Sequence, residues 1–177
     1  MKYLVVSDIH GSSYYANQIK KIYEKEQPDR IILLGDLYYH GPRNPLTKDY
    51  NPKEVADILN SYKDVILCTK GNCDAEVDRA ISKFDINDNI TIDISGKKFF
   101  FTHGDKYNKD CIPKNTDILV YGHFHKGFIE EKDGVVCANC GSISLPKDST
   151  PNSYLTINNG ELTLKDINGN IIDSKTY

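Results

Sequence analysis

The stretch KYLVVSDIHG, residues 2–11, carries an unbroken apolar run over residues 3–6 and ends in Asp8, His10 and Gly11. Apolar runs of this length, with no alternation, read as buried strands. SYYANQIKKIYEKEQ (13–27) then reads as a helix with Ser12 or Ser13 as N-cap. RIILLG (30–35) is a second buried strand, PKEVADILNSY (52–62) a second helix opened by Pro52, and DVILCTKG (64–71) a third strand. A short helix is expected in AEVDRAISKF (75–84). This β-α-β-α-β order implies parallel strands joined by right-handed crossovers.

Beyond residue 88 the pattern changes. NITIDIS (89–95) and KKFFFTHG (97–104) alternate like antiparallel partners across a Ser95-Gly96 turn. DILVYGHFH (117–125) reads as a buried strand throughout, with Phe124 directed into the core. FIEEKDGVVCAN (128–139) and SYLTINNGELTLKDINGNIID (153–173) read as hairpins around Asp-Gly and Asn-Gly turns. No linker or repeat divides the chain, so one α/β (α+β) domain over 1–177 is expected. Two mixed sheets should pack face to face with helices outside. The aperiodic, Pro- and Gly-rich YYHGPRNPLTKDYNP (38–52) has the character of a functional loop.

A net charge of −3 and the absence of a Lys/Arg run argue against nucleic acid or an anionic membrane as the main partner. No apolar run approaches the roughly 20 residues that span a bilayer, and the opening segment is unlike a signal peptide. A cytoplasmic protein is expected, and a homo-oligomer is compatible with the sequence. Five scattered cysteines suit reduced thiols better than a disulfide framework.

The informative feature is what ends each strand: Asp8 and His10, Asp36, Asn72, His103, and His123 with His125, each beside a glycine. In open α/β sheets ligands gather at the carboxyl ends of strands. On an extended chain, residues i and i+2 point the same way, which would place Asp8 with His10 and His123 with His125. Imidazole mixed with carboxylate suits Mn, Fe, Zn, Co or Ni, and these donors are too many for one tetrahedral ion but enough for two. Singly each has a bland reading: Asp36 as a helix cap, His103 as a core histidine, Asn72 as a turn residue, Asp74 as an N-cap.

Taken in order, D8-x-H10, G35-D36, G71-N72-x-D74, H103 and G122-H123-x-H125 resemble the calcineurin-like metallophosphoesterase superfamily, and more narrowly its YfcE-type phosphodiesterases. LGDLYYHGPRNPL (34–46), THGD (102–105) and NCGSISLPK (139–147) carry the same likeness, which spans residues 2 to about 158. The resemblance implies a β-sandwich with a dinuclear centre, most simply two Mn2+ ions, with Ni2+, Zn2+, Fe2+ or Co2+ as substitutes. It implies Asp8, His10, Asp36 and His125 around one ion. Asp36, Asn72, His103 and His123 would hold the other, with Asp36 bridging, and a metal-bound hydroxide would attack a phosphodiester. Asp36, Asn72 and His10 are the catalytic candidates. Many superfamily members carry His where this chain has Cys73, a weaker proton donor, which implies a preference for good leaving groups.

In the long loop, Arg43 is the candidate phosphate-binding side chain, its guanidinium suiting bidentate contact, with Cys73 beside the substrate and His40 and Asn44 nearby. Tyr38, Tyr39 and Tyr107 border the region or serve packing. Cys137 and Cys140 form an isolated C-x-x-C, without the second pair a four-cysteine zinc site requires. Other outcomes stay open on the same motifs: a phosphomonoesterase, a cyclic-nucleotide phosphodiesterase, or a non-catalytic scaffold like the retromer subunit of this fold.

Overall fold

A computed structural model describes all 177 residues. The first strand, β1 (Tyr3–Val6), leads through α1 (Ser13–Glu26) to β2 (Arg30–Leu33), and through α2 (Pro52–Asn60) to β3 (Ile66–Thr69). A short α3 (Glu76–Ile81) and the two-residue β4 (Ile86–Asn87) follow. β1, β2, β3 and β4 pair in parallel, as the apolar runs require. The later strands are β5 (Ile90–Ile94), β6 (Lys97–Phe101), β7 (Ile118–Tyr121), β8 (Gly127–Lys132) and β9 (Val135–Cys140), then β10 (Ser153–Asn158), β11 (Glu161–Asp166) and β12 (Ile171–Thr176). They form a seven-stranded sheet, β12-β11-β10-β1-β2-β3-β4, and a five-stranded sheet, β5-β6-β7-β9-β8. Both are mixed, since β10 to β12 run antiparallel in the first, as do β5 and β8 in the second.

Side-chain alternation along β1 and β2 explains why these strands read as unbroken apolar runs. Leu4, Val6, Ile31 and Leu33 face α1 and α2, meeting Ala16, Ile19, Val55 and Leu59. Tyr3, Val5, Ile32 and Leu34 face the second sheet, meeting Phe99, Phe101, Ile118 and Val120. Each strand is therefore buried on both sides, which leaves no polar alternate positions. Ser12 caps α1 by accepting from the Tyr15 amide at 3.3 Å, and Asn51 caps α2 ahead of Pro52. The expected hairpin across Ser95-Gly96 is present as the β5–β6 pair.

Two expectations need correction. The strand over 117–125 stops at Tyr121, and Phe124 is 46% exposed instead of entering the core. Asp74 does not cap α3, whose N-cap is Ala75. Cys137 and Cys140 face opposite sides of β9: Cys137 joins Leu119 and Tyr121, while Cys140 joins the core between the sheets. An i, i+3 pair on a strand diverges, so this C-x-x-C is neither a redox pair nor half a zinc site.

Away from the strand ends, Glu26 ties the end of α1 to three other segments. Its carboxylate accepts from Lys2 Nζ at 2.7 Å, Tyr154 Oη at 2.8 Å and Lys165 Nζ at 2.9 Å. Burial alone would raise its pKa, but the two ammonium groups and the phenol overcome that and hold it at about 2. An unfolded Glu titrates at about 4.3, so the folded state gains from this group above that pH and loses the gain as pH falls towards 2. Glu26→Gln should therefore lower Tm at pH 7 by several degrees, and the gap from wild type should close between pH 5 and pH 2. Thermal melts across that range test this; a pH-independent gap would contradict it.

Candidate metal centre

All the polar strand-ends meet at one rim. Asp8 and His10 follow β1, Asp36 follows β2 and Asn72 follows β3, all from the seven-stranded sheet. His103 follows β6, and His123 and His125 follow β7, from the five-stranded sheet. The route to convergence is not the one that strand pleating suggests. Asp8 (φ 58°), His10 (50°), Asp36 (54°), His123 (65°) and His125 (59°) all lie in the left-handed region. Each such residue costs roughly 1–2 kcal/mol, least for Asp, and strain of this kind gathers at functional sites. The chain coils past each strand end, so the i, i+2 pairs are brought inward by left-handed turns, not by a shared strand face.

Close approach of the backbone makes room for this. A Cβ on Gly122 would collide with the Ser7 side chain and Asp8 Oδ2, and one on Gly71 would collide with Asp36. The orienting contacts cross between elements. The His123 amide donates to Asp8 Oδ2 at 3.0 Å and the Cys73 amide to Asp36 Oδ1 at 2.8 Å, leaving Asp8 Oδ1 and Asp36 Oδ2 facing inward. Asp74 accepts from the amides of Asp36, Leu37 and Gly71 at 2.7–2.8 Å, locking the β2 and β3 loops together. Ser142 and Ser144 donate to the Asp8 carbonyl at 2.9 and 2.7 Å. These two serines escaped the sequence reading, although NCGSISLPK contains them; a hydroxyl bonding a backbone more than 130 positions away leaves no local signature.

Three imidazoles have their tautomer set by backbone carbonyls, which only accept. Nδ1 of His10 donates to Tyr39 O at 2.9 Å, that of His103 to Leu34 O at 2.7 Å, and that of His125 to Leu145 O at 2.6 Å. In the neutral rings the lone pair is therefore on Nε2, and those atoms point at one another and at the carboxylates. His10 Nε2 lies 3.2 Å from His125 Nε2, and Asp8 Oδ1 lies 3.3 Å from His125 Nε2 and 3.6 Å from His10 Nε2. Asp36 Oδ2 stands between two groups, 3.7 Å from His10 Nε2 and 3.4 Å from His103 Nε2. Beyond it, His103 Nε2 lies 3.0 Å from Asn72 Oδ1 and 3.1 Å from His123 Nδ1.

Acceptor facing acceptor in a dry site is unfavourable unless a positive centre lies between. Asp8 Oδ1 is fully buried without a hydrogen-bond donor, which makes the deficit explicit. Protons fill part of it: burial would push His103 down, but Asp36 and Asp8 raise it to about 10. Asp8 and Asp36 are held below the usual carboxylate range despite burial, by the imidazoles that face them. Divalent cations fit the same place, because Asp8-His10-His125 and Asp8-Asp36-His103 are sets with ligand atoms close enough to share an ion.

The rim opens into a cleft of about 740 Å³ lined by Arg43, Asn44, Tyr39, Cys73, Phe124 and Lys147 as well as the centre. Arg43 is exposed at its edge, and Lys147 is a second cation that the sequence reading did not single out. The Cys73 thiol is pushed up to about 12, first by burial and then by Asp36, so it stays neutral. Tyr38 is buried with its hydroxyl 2.7 Å from Ser82, and Tyr107 packs edge-on against Phe100; both serve packing. His40 packs between Tyr39 and Tyr50.

The calcineurin-like phosphoesterase superfamily domain matches residues 1–161. This chain belongs to that superfamily. Phosphodiesterase YfcE of Escherichia coli is 33% identical over 171 residues, covering 95% of this chain and 93% of YfcE. The solved structure of that E. coli phosphoesterase superposes with a TM-score of 0.96 at 31% identity, covering 99% of both chains. A probable metallophosphoesterase of Bacillus subtilis, YsnB, is 27% identical over 176 residues, 93% of this chain and 89% of its own. Vacuolar protein sorting 29 of Cryptosporidium parvum shares the fold at a TM-score of 0.67 and 16% identity, over 99% of this chain and 98% of that one. Family and likeness together make this chain a metal-dependent phosphoesterase. No helix in it is long and apolar enough to cross a membrane.

Proposed function

We propose that this chain hydrolyses small phosphodiesters at a centre of two divalent cations, Mn2+ foremost. The observation that carries the reading is Asp36 Oδ2, which faces His10 on one side and His103 on the other. A carboxylate so placed is a bridge between two sets of donors. Asp8, His10 and His125 complete one set with Asp36, and Asn72, His103 and His123 complete the other. Bound there, the cations would supply an activated water as nucleophile and the charge that stabilises a phosphoryl group in transfer.

The protein's own contribution is placement. Carbonyls of Leu34, Tyr39 and Leu145 fix the rings, and the amides of Cys73 and His123 aim the carboxylates. Only Asp8 and Asp36 bring negative charge, so the loaded centre stays positive and attracts a phosphate monoanion. Arg43, which lines the rim, would take a non-bridging oxygen through its planar fork. Cys73, held neutral with its pKa near 12, donates poorly to a departing alkoxide. Substrates whose alcohols leave without protonation should therefore turn over best.

The test is hydrolysis of bis(p-nitrophenyl) phosphate by protein stripped with chelator and reloaded. Activity should fall at least a hundredfold on stripping and return with Mn2+, with about two ions per chain by mass spectrometry. Metal-loaded wild type no faster than His123→Ala would refute the assignment.

A further inference from the structure

Phe124 separates the two histidines of the centre, yet its ring stands 46% exposed. An isolated apolar side chain in water needs no explanation by itself. This one differs in position. Left-handed turns at His123 and His125 hold it outward, and the ring centroids of His123 and Phe124 are 5.1 Å apart. Phe124 lines the metal cleft and also a neighbouring cavity of about 380 Å³, which has Tyr121 and Phe128 in its wall. Tyr121 meets both phenyl rings edge-on, with centroids at 6.1 and 6.0 Å, so the wall is a packed aromatic surface.

Charge around that cavity is balanced. Lys109 pairs with Glu130 at 3.0 Å, Lys126 with Asp148 at 3.4 Å, and Asp110 with Lys132 at 2.8 Å. No surplus cation is left to select an anion. A neutral, planar group suits such a wall, because aromatic faces and edges attract one another while paired charges at the rim tolerate polar substituents.

We propose that Phe124 is the floor of a subsite for one ester arm of the substrate, and that the arm it takes carries an aromatic or heteroaromatic ring. The inference rests on the phosphodiesterase reading, since it needs phosphate at the adjacent centre. Because the Phe124 ring stands against the His123 ring, at 5.1 Å between centroids, a ring joined to phosphorus through one or a few atoms would reach the Phe124 face. The aryl group binds without reacting, so this subsite sets KM and substrate class while the metal donors set the chemistry.

Equilibrium titration of the Mn2+-loaded protein with inorganic, methyl and phenyl phosphate tests this. Wild type should bind phenyl phosphate about tenfold more tightly than methyl phosphate, the scale of a single stacking contact. Phe124→Ala should bring that ratio to within twofold, and Phe124→Tyr should keep it. Truncation of so exposed a ring does not threaten the core. Phosphate bound with no aryl preference, or a preference that survives in Phe124→Ala, overturns the subsite alone. No binding of any of the three overturns the phosphodiesterase reading, and the subsite with it.

Discussion

Asp36→Asn should leave a folded protein that hydrolyses bis(p-nitrophenyl) phosphate at least a thousandfold more slowly. The amide is nearly isosteric and its Oδ1 can still accept from the Cys73 amide. What it loses is the negative charge on Oδ2, which faces both His10 and His103 and is the proposed bridge. An amide carries no charge to share, so under the proposed two-cation assignment both donor sets should weaken together. His123→Ala and His125→Ala should each lower occupancy by about one ion, and Asp36→Asn should lower it by more than one. Metal content and kcat read the two effects separately. Equal losses in all three variants would rule out a bridging role for Asp36.

Asp74→Ala should produce the largest loss of stability among the residues around the centre. Asp74 is 6% exposed, and removing it strands the buried amides of Asp36, Leu37 and Gly71. An unsatisfied buried donor costs about 1–3 kcal/mol, and three sharing one region cost on the order of 4 kcal/mol together. At about 2–4 °C per kcal/mol for a domain of this size, Tm should drop by roughly 10 °C in metal-free protein. Asp74→Asn should fall between, because its NH2 must face at least one of the same donors. Metal affinity should fall ten- to a hundredfold with Asp74→Ala, since Asp36 loses the support of its loop. A change in unfolding free energy below about 0.5 kcal/mol would show that the loops are held by something else.

Much of this architecture is legible in the sequence. Val5, Ile32 and their neighbours admit no polar alternates, which marks strands covered on both sides, and the intervening helical periods make the pairing parallel. The Asp, Asn and His residues at the strand ends then converge, because parallel strands finish at one edge. What pattern alone could not supply was backbone hand. An i, i+2 argument assumes extended chain, and at Asp8, His10, His123 and His125 the chain has already turned left-handed. The same turn explains why Phe124 faces water although alternation sends it inward. Asp74 was misread for a different reason: its partners Asp36 and Leu37 are 38 and 37 positions away, while the capping role is local and so dominates any linear reading.

The donors come in two groups, four residues from the seven-stranded sheet and three from the five-stranded one. The centre thus lies on the seam between the layers, and the layers must already be in register before a bound cation could find donors from both. Cation uptake is accordingly a report on assembly: it rivets a sandwich that has docked correctly and offers little to one that has slipped. A chain whose sheets fold but fail to seat against each other would keep its secondary structure and remain metal-poor.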